Sequence, residues 1–113
     1  MLVAGDAINN EWKETLVAGL ITQAMTVRDP ALKASTWAEA LKVARAAMER
    51  APQNAHWPGY LAEIHAGIAE SAPDAKTARE EWKLAFDTLD VLDKDGRLPM
   101  PRKPLLERAR SRK

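Results

Sequence analysis

The sequence predicts an all-α protein built as two antiparallel helical hairpins followed by a short C-terminal helix. Three observations carry that prediction. Apolar residues recur at intervals of three and four along most of the chain, the spacing that lays one stripe along a helix. β-Branched residues are few in an alanine- and leucine-rich background, a composition that favours helix over strand. The prolines fall between the periodic stretches, where a residue without an amide donor ends one helix or opens the next.

The first helix is expected to start near Asn9 or Asn10, either of which suits a cap, and to run to about Arg28. Trp12, Leu16, Leu20 and Val27 form its stripe, widened by Val17, Ile21, Ala24 and Met25, so that it needs neighbours on two sides. Asp29-Pro30 breaks it,. The stretch 37–55 is the one around which the chain is expected to be organised. Thr36 and Glu39 read as a capping box, Trp37, Ala40, Leu41, Ala44, Met48 and Ala51 as a buried stripe, and Pro52 as the stop,.

The second hairpin starts after residues 54–56, with Pro58 in a first turn,. Leu61, Ile64, His65, Ile68 and Ala72 line its inner face, and residues 71–74 turn the chain. Ala78, Trp82, Ala85, Leu89 and Leu92, with Phe86 beside them, form the next stripe, which Gly96 ends,. Residues 98–101 are expected to lie extended over the body, and Pro104 opens a last short helix to about Arg110. The domain reading is a four-helix body, 1–96, and a basic extension, 97–113, with a short capping helix.

Trp37, Ala40, Ala44, Ala47 and Pro52 follow the second helix and exit turn of a tetratricopeptide (TPR) repeat, which this stretch resembles. The resemblance implies a right-handed solenoid fragment in which small residues mark the close crossing of two helices. Laying the chain on itself supports duplication in either of two registers. A shift of about 45 residues pairs Trp12 with Trp57 and Trp37 with Trp82, whereas the TPR pattern equates Ala40 with Ala78. Both registers keep the same face inward.

A chain of 113 residues holds one core. The formal net charge of +1 supplies no bulk attraction to nucleic acid or membrane, but its distribution is uneven. Residues 97–113 carry seven Lys or Arg against the single Glu107, and the first 96 carry ten bases against fifteen acids. Without cysteine there is neither a disulfide framework nor thiolate chemistry. No apolar run reaches membrane-spanning length and the opening residues lack a basic leader region, so a soluble, cytoplasmic protein is expected.

Residues 86–98 resemble the entering helix and first half of an EF-hand calcium loop, with Asp93, Asp95 and Gly96 in place. Val91 stands at the first ligand position and Arg102 where a bidentate Glu is needed, so no calcium site is expected. His56 and His65 fall on different helix faces, His65 on the apolar stripe; neither reads as a metal ligand. No Gly-rich phosphate loop and no Ser with His and acid partners occur, so neither an enzyme nor a cofactor is expected. The four tryptophans sit on helical stripes and read as core, Trp57 beside a turn being the one expected to be partly exposed.

The TPR resemblance implies a non-catalytic scaffold that binds a partner protein or peptide on a concave face. Carried over by register, the groove positions are His56, Gly59, Glu63, Ala66 and Gly67, with Glu11, Glu14, Ala18 and Thr22 from the first hairpin. These are small and acidic, suited to a basic or apolar segment, the protein's own C-terminus included. Gly67 is expected at the narrowest point, where an arginine would block binding with little loss of stability. Two other readings stand beside this one. The basic tail, Arg97, Arg102, Lys103, Arg108, Arg110, Arg112 and Lys113, is either a contact for nucleic acid or an acidic partner or a solvated end; on the scaffold reading, truncation after Pro101 is expected to leave the four helices folded and to weaken partner binding only modestly. Alternatively the chain is a subunit of a homo-oligomer or larger helical-repeat assembly, because two repeats are fewer than a stable stack needs.

Overall fold

A computed structural model describes residues 2–50 and 56–113, with side chains placed from residue 12 onward. All its regular structure is helical: α1 (Leu2–Thr26), α2 (Pro30–Arg50), α3 (His56–Ser71), α4 (Ala75–Lys94), a single 3-10 turn (Met100–Arg102) and α5 (Lys103–Arg112). Each helix packs on the next in sequence, and α1 also touches α3.

Helix starts differ from the expected ones. α1 runs straight through Asn9 and Asn10 to begin at Leu2, because a cap residue costs only a few tenths of a kcal/mol, about 0.5, in a helix interior. α2 begins at Pro30. Asp29 caps it, its carboxylate accepting from the Ala31 amide at 3.2 Å and its carbonyl from the Lys33 amide at 2.8 Å. The Thr36–Glu39 capping box therefore does not form; Thr36 is a buried helical residue whose hydroxyl donates to the Leu32 carbonyl at 2.7 Å. Proline at a first helical position outcompetes a later Thr, since its fixed φ is already helical. The proposed stop at Pro52 lies outside the described residues.

The later boundaries follow the local signals. Asp74 caps α4 by accepting from the Thr77 amide at 2.6 Å, and that bond holds its carboxyl below the usual carboxylate range. Gly96, at φ 70°, closes the helix, with its amide and that of Arg97 donating to Asp93 and Leu92,. Residues 98–101 are not extended throughout: Pro99 is, but a 3-10 turn starts at Met100. It leads directly into α5, which has Pro104 in its first turn.

Two apolar clusters share α3 as their common wall, which makes α3, not the stretch 37–55, the organising element. Trp57, Leu61 and Ile64 face Val17, Leu20, Ile21 and Ala24 of α1 and Trp37, Ala40, Ala44 and Ala47 of α2. Ala62, Ala66 and Ala69 face Trp82, Ala85 and Leu89 of α4 and Leu106 and Ala109 of α5. Small residues on that second face let three helices approach closely. The basic segment is thus part of the body, since Leu106 and Ala109 are buried in its core.

Burial recurs at the longer shift considered above. Val17, Leu20, Ile21 and Ala24 of α1 correspond to Ala62, His65, Ala66 and Ala69 of α3, and Trp37, Ala40, Ala44 and Ala47 of α2 to Trp82, Ala85, Leu89 and Leu92 of α4, all buried. Trp12 breaks the pattern: it is 65% exposed, whereas Trp57 is fully buried. Trp57 is covered by α1 and α2, whereas among the described residues no helix covers Trp12. Met25, placed on the inner stripe by its spacing, is likewise 67% exposed. Among the described residues the buried indole N–H groups of Trp37 and Trp57 have no hydrogen-bond partner. Each orphan costs about 1–3 kcal/mol, offset by burial of a large ring.

Candidate functional site

Once two faces of α3 are committed to the cores, a third remains: His56, Tyr60, Glu63, Gly67 and Glu70, spaced four and three apart down one side of the helix,. It forms the floor of a trough walled by α1 on one side and by the 3-10 turn and α5 on the other. His56 Nδ1 lies 2.8 Å from Glu14 Oε1 and ties the start of α3 to α1.

Arg102 crosses this trough. Its guanidinium donates to the Gly59 carbonyl at 3.0 Å, pairs with Glu63 at 3.0 Å and lies over the Tyr60 ring, 5.5 Å from its centre. The side chain is only 19% exposed. Gly59 makes the approach possible, since a Cβ there would stand 2.6 Å from Arg102 Nε. Burial, and then the Glu14 carboxylate, push the Tyr60 phenol up against the opposing influence of Arg102.

The crossing leaves a cleft on each side. One, of about 370 Å³, lies among His56, Tyr60, Glu63, Pro99 and Pro101. The other, of about 270 Å³, has Ile21, Met25, Trp37, Ala66 and Gly67 as an apolar floor and Pro101, Pro104 and Leu105 as its far wall. Glu63 and Glu70 stand along it, with Glu70 paired to Arg108 at 3.3 Å. That pair is half exposed on both sides and is worth about 0–1 kcal/mol. Arg102 is held more firmly, because hydrogen bonds to charged groups contribute about 1.5–3 kcal/mol.

The groove positions read from the sequence are therefore partly brought together and partly occupied. His56, Glu63, Ala66 and Gly67 line the two clefts. Gly59 is buried under Arg102. Gly67 is not open to a long side chain: a Cβ there would overlap the Trp37 indole at Cζ2 and Cη2, so an arginine would damage the core before it blocked anything. On α1, Ala18 and Thr22 are exposed, with Thr22 donating to the Ala18 carbonyl at 3.0 Å. Ile21 and Met25 reach the cleft in their place, and the side chain of Glu11 lies outside the described residues. Ile21 and Met25 were missed because their spacing places them on the inner stripe of α1, and Tyr60 and Leu105 because no local signal singles them out.

Most of the basic residues lie on an ordered helix, exposed but engaged with the chain's own groups. Besides Arg102 and Arg108, Arg110 pairs with Glu107 and lies over Phe86, Arg112 lies over Trp82, and Lys113 sits 3.8 Å from the centre of the Phe86 ring. Arg97 and Lys103 are exposed. His65 is buried, with Nδ1 2.9 Å from Glu81 Oε1. Among the described residues no three His, Cys, Asp or Glu side chains are grouped to hold an ion, and no helix is long and apolar enough to cross a membrane.

No protein family, curated protein or solved structure matches this chain.

Proposed function

We propose that the chain is a non-catalytic protein-interaction scaffold, TPR-like in plan, that takes a partner's peptide segment into the trough between α1, α3 and α5. The observation that carries this reading is the cleft of about 270 Å³, where Met25 is exposed beside Trp37, Ala66 and Leu105. An exposed methionine over an apolar floor is adaptable contact surface, and concave apolar sites with a few polar groups are where ligands bind. The chemistry of the partner follows from the rim. Among the described residues Glu70 is paired with Arg108 alone, in a weak, exposed contact, so an incoming Lys or Arg replaces Arg108 at little cost. A segment with one bulky apolar residue and one basic residue a few positions away satisfies both the floor and Glu70.

Burial of α5 favours this reading over the nucleic-acid one, because most of the basic side chains are engaged on the chain's own carboxylates and rings. The test is selection of a random peptide display library on the wild-type chain, followed by binding of the enriched peptides to variants. Enrichment of apolar-plus-basic peptides, lost in Met25→Asp and Glu70→Lys but retained in Val91→Asp on the exposed side of α4, is the expected result. Peptides that bind Met25→Asp as well as wild type, or no enrichment at all, refute it.

A further inference from the structure

We propose that Gly59, Tyr60 and Glu63 form an arginine-recognition site for the partner segment, which the chain fills in cis with its own Arg102. This deepens the trough reading and rests on it. The site offers three complementary elements to one guanidinium: a backbone carbonyl and a carboxylate, each at 3.0 Å, and an aromatic face at 5.5 Å. Planar donors, delocalised charge and weak hydration suit arginine to such a site, and lysine does not replace it.

What makes Arg102 displaceable is the segment that carries it. Residues 93–97 and Pro99, Met100 and Pro101 are all exposed, Met100 at 73%, and only Leu98 is half-buried. α5 is anchored separately by Leu106 and Ala109. The strap between α4 and α5 is therefore held along its length by two residues, Leu98 packed on the second core and Arg102 on α3. Lifting residues 99–102 while Leu98 stays in place costs chiefly the Arg102 contacts. The gain is spatial: Glu63 and Pro101 border both clefts, so withdrawing the strap joins them into one trough running along α3 from His56 to Glu70. A partner arginine on Glu63 then places its neighbouring residues over the apolar floor beside Met25.

Because the cis arginine is tethered, it competes at an effective concentration on the order of millimolar. A trans peptide should meet a site only fractionally open in the wild-type chain. The probe is a fluorescent peptide of residues 99–103, whose single arginine stands for the partner's, titrated by anisotropy into the full chain. Arg102→Ala is expected to bind it about fivefold or more tightly than wild type does. The same peptide with Ala or Lys in place of arginine should bind at least about tenfold more weakly. Adding Gly59→Ala to Arg102→Ala should abolish binding, since its methyl occupies the guanidinium's place.

Equal binding by wild type and Arg102→Ala, or equal binding of the arginine and alanine peptides, overturns the proposal. Should Arg102→Ala fail to fold by circular dichroism, the wild-type chain is titrated instead and the amide resonances of residues 59–63 are followed. Concerted shifts with the arginine peptide alone support the site, and their absence at saturating peptide overturns it. Met25→Asp leaves residues 59–63 intact, so displayed peptides that bind this variant as well as wild type sink the trough reading, while arginine-dependent binding of the 99–103 peptide leaves the arginine site standing.

Discussion

Two glycines on exposed-looking helix positions should respond oppositely to the same substitution. Gly19 lies in α1 with nothing within 4 Å of an added Cβ, whereas at Gly67 in α3 three atoms of the Trp37 indole stand inside that volume, Cε2 at 2.6 Å and two others closer. In both helices, alanine removes the backbone-entropy penalty of glycine, about 0.5–1 kcal/mol in favour of the variant. That term cancels in the difference between them, leaving the steric cost of moving an indole that is only 4% exposed. Overpacking a filled site costs about 1–3 kcal/mol, and overlap with three ring atoms places this case toward the upper end. Gly19→Ala is therefore expected to stabilise by about 0.5–1 kcal/mol. Gly67→Ala should lie about 2–3 kcal/mol below it, a net loss of about 1–2 kcal/mol. Urea unfolding followed by far-ultraviolet circular dichroism measures both. Trp37→Phe, with a smaller ring, should recover about 1 kcal/mol of the Gly67→Ala penalty in a double-mutant cycle. If Gly67→Ala stabilises as much as Gly19→Ala does, the indole does not lie against α3 and the floor of the cleft is wrongly placed.

Further outcomes follow from single contacts. Leu106→Ala, at a site 3% exposed in the second core, should cost about 2–5 kcal/mol in urea melts, and truncation after Pro101 should cost at least as much, instead of leaving the remaining helices unaffected. Trp37→Ala should lose about 3–5 kcal/mol; a loss under about 1 kcal/mol would mean an exposed ring. Tyr60, the only tyrosine, should ionise above the usual phenol value, by burial first and then by Glu14. Because the unfolded chain ionises first, stability is intact below about pH 10 and falls as pH rises toward the folded value; phenolate absorbance reports it, and Glu14→Gln should lower the midpoint. For Asp74 the sign is opposite. Its carboxyl is lowered by the Thr77 amide, so the cap stabilises above about pH 4 and is lost as pH falls through the folded value. Asp74→Asn should flatten that part of the acid melt.

The helical class, the order of the helices and most of the inward faces were set by the sequence alone, since periodicity, the Asp74 cap and the Gly96 stop act within a few residues. Local signals failed where two of them competed, as when Pro30 started α2 ahead of the Thr36 capping box. They also failed where a face depends on having a neighbour. Trp12 and Trp57 carry the same pattern, but among the described residues only Trp57 is covered by neighbouring helices. The tertiary structure alone decided that Gly67 is filled by an indole from α2 and that Leu106 and Ala109 make the basic segment part of a core. It alone brought Arg102 onto Gly59 and Glu63. Those contacts join residues some forty positions apart, and no spacing rule relates them; they exist because α3 presents glycines at Gly59 and Gly67, letting an arginine and an indole approach its backbone.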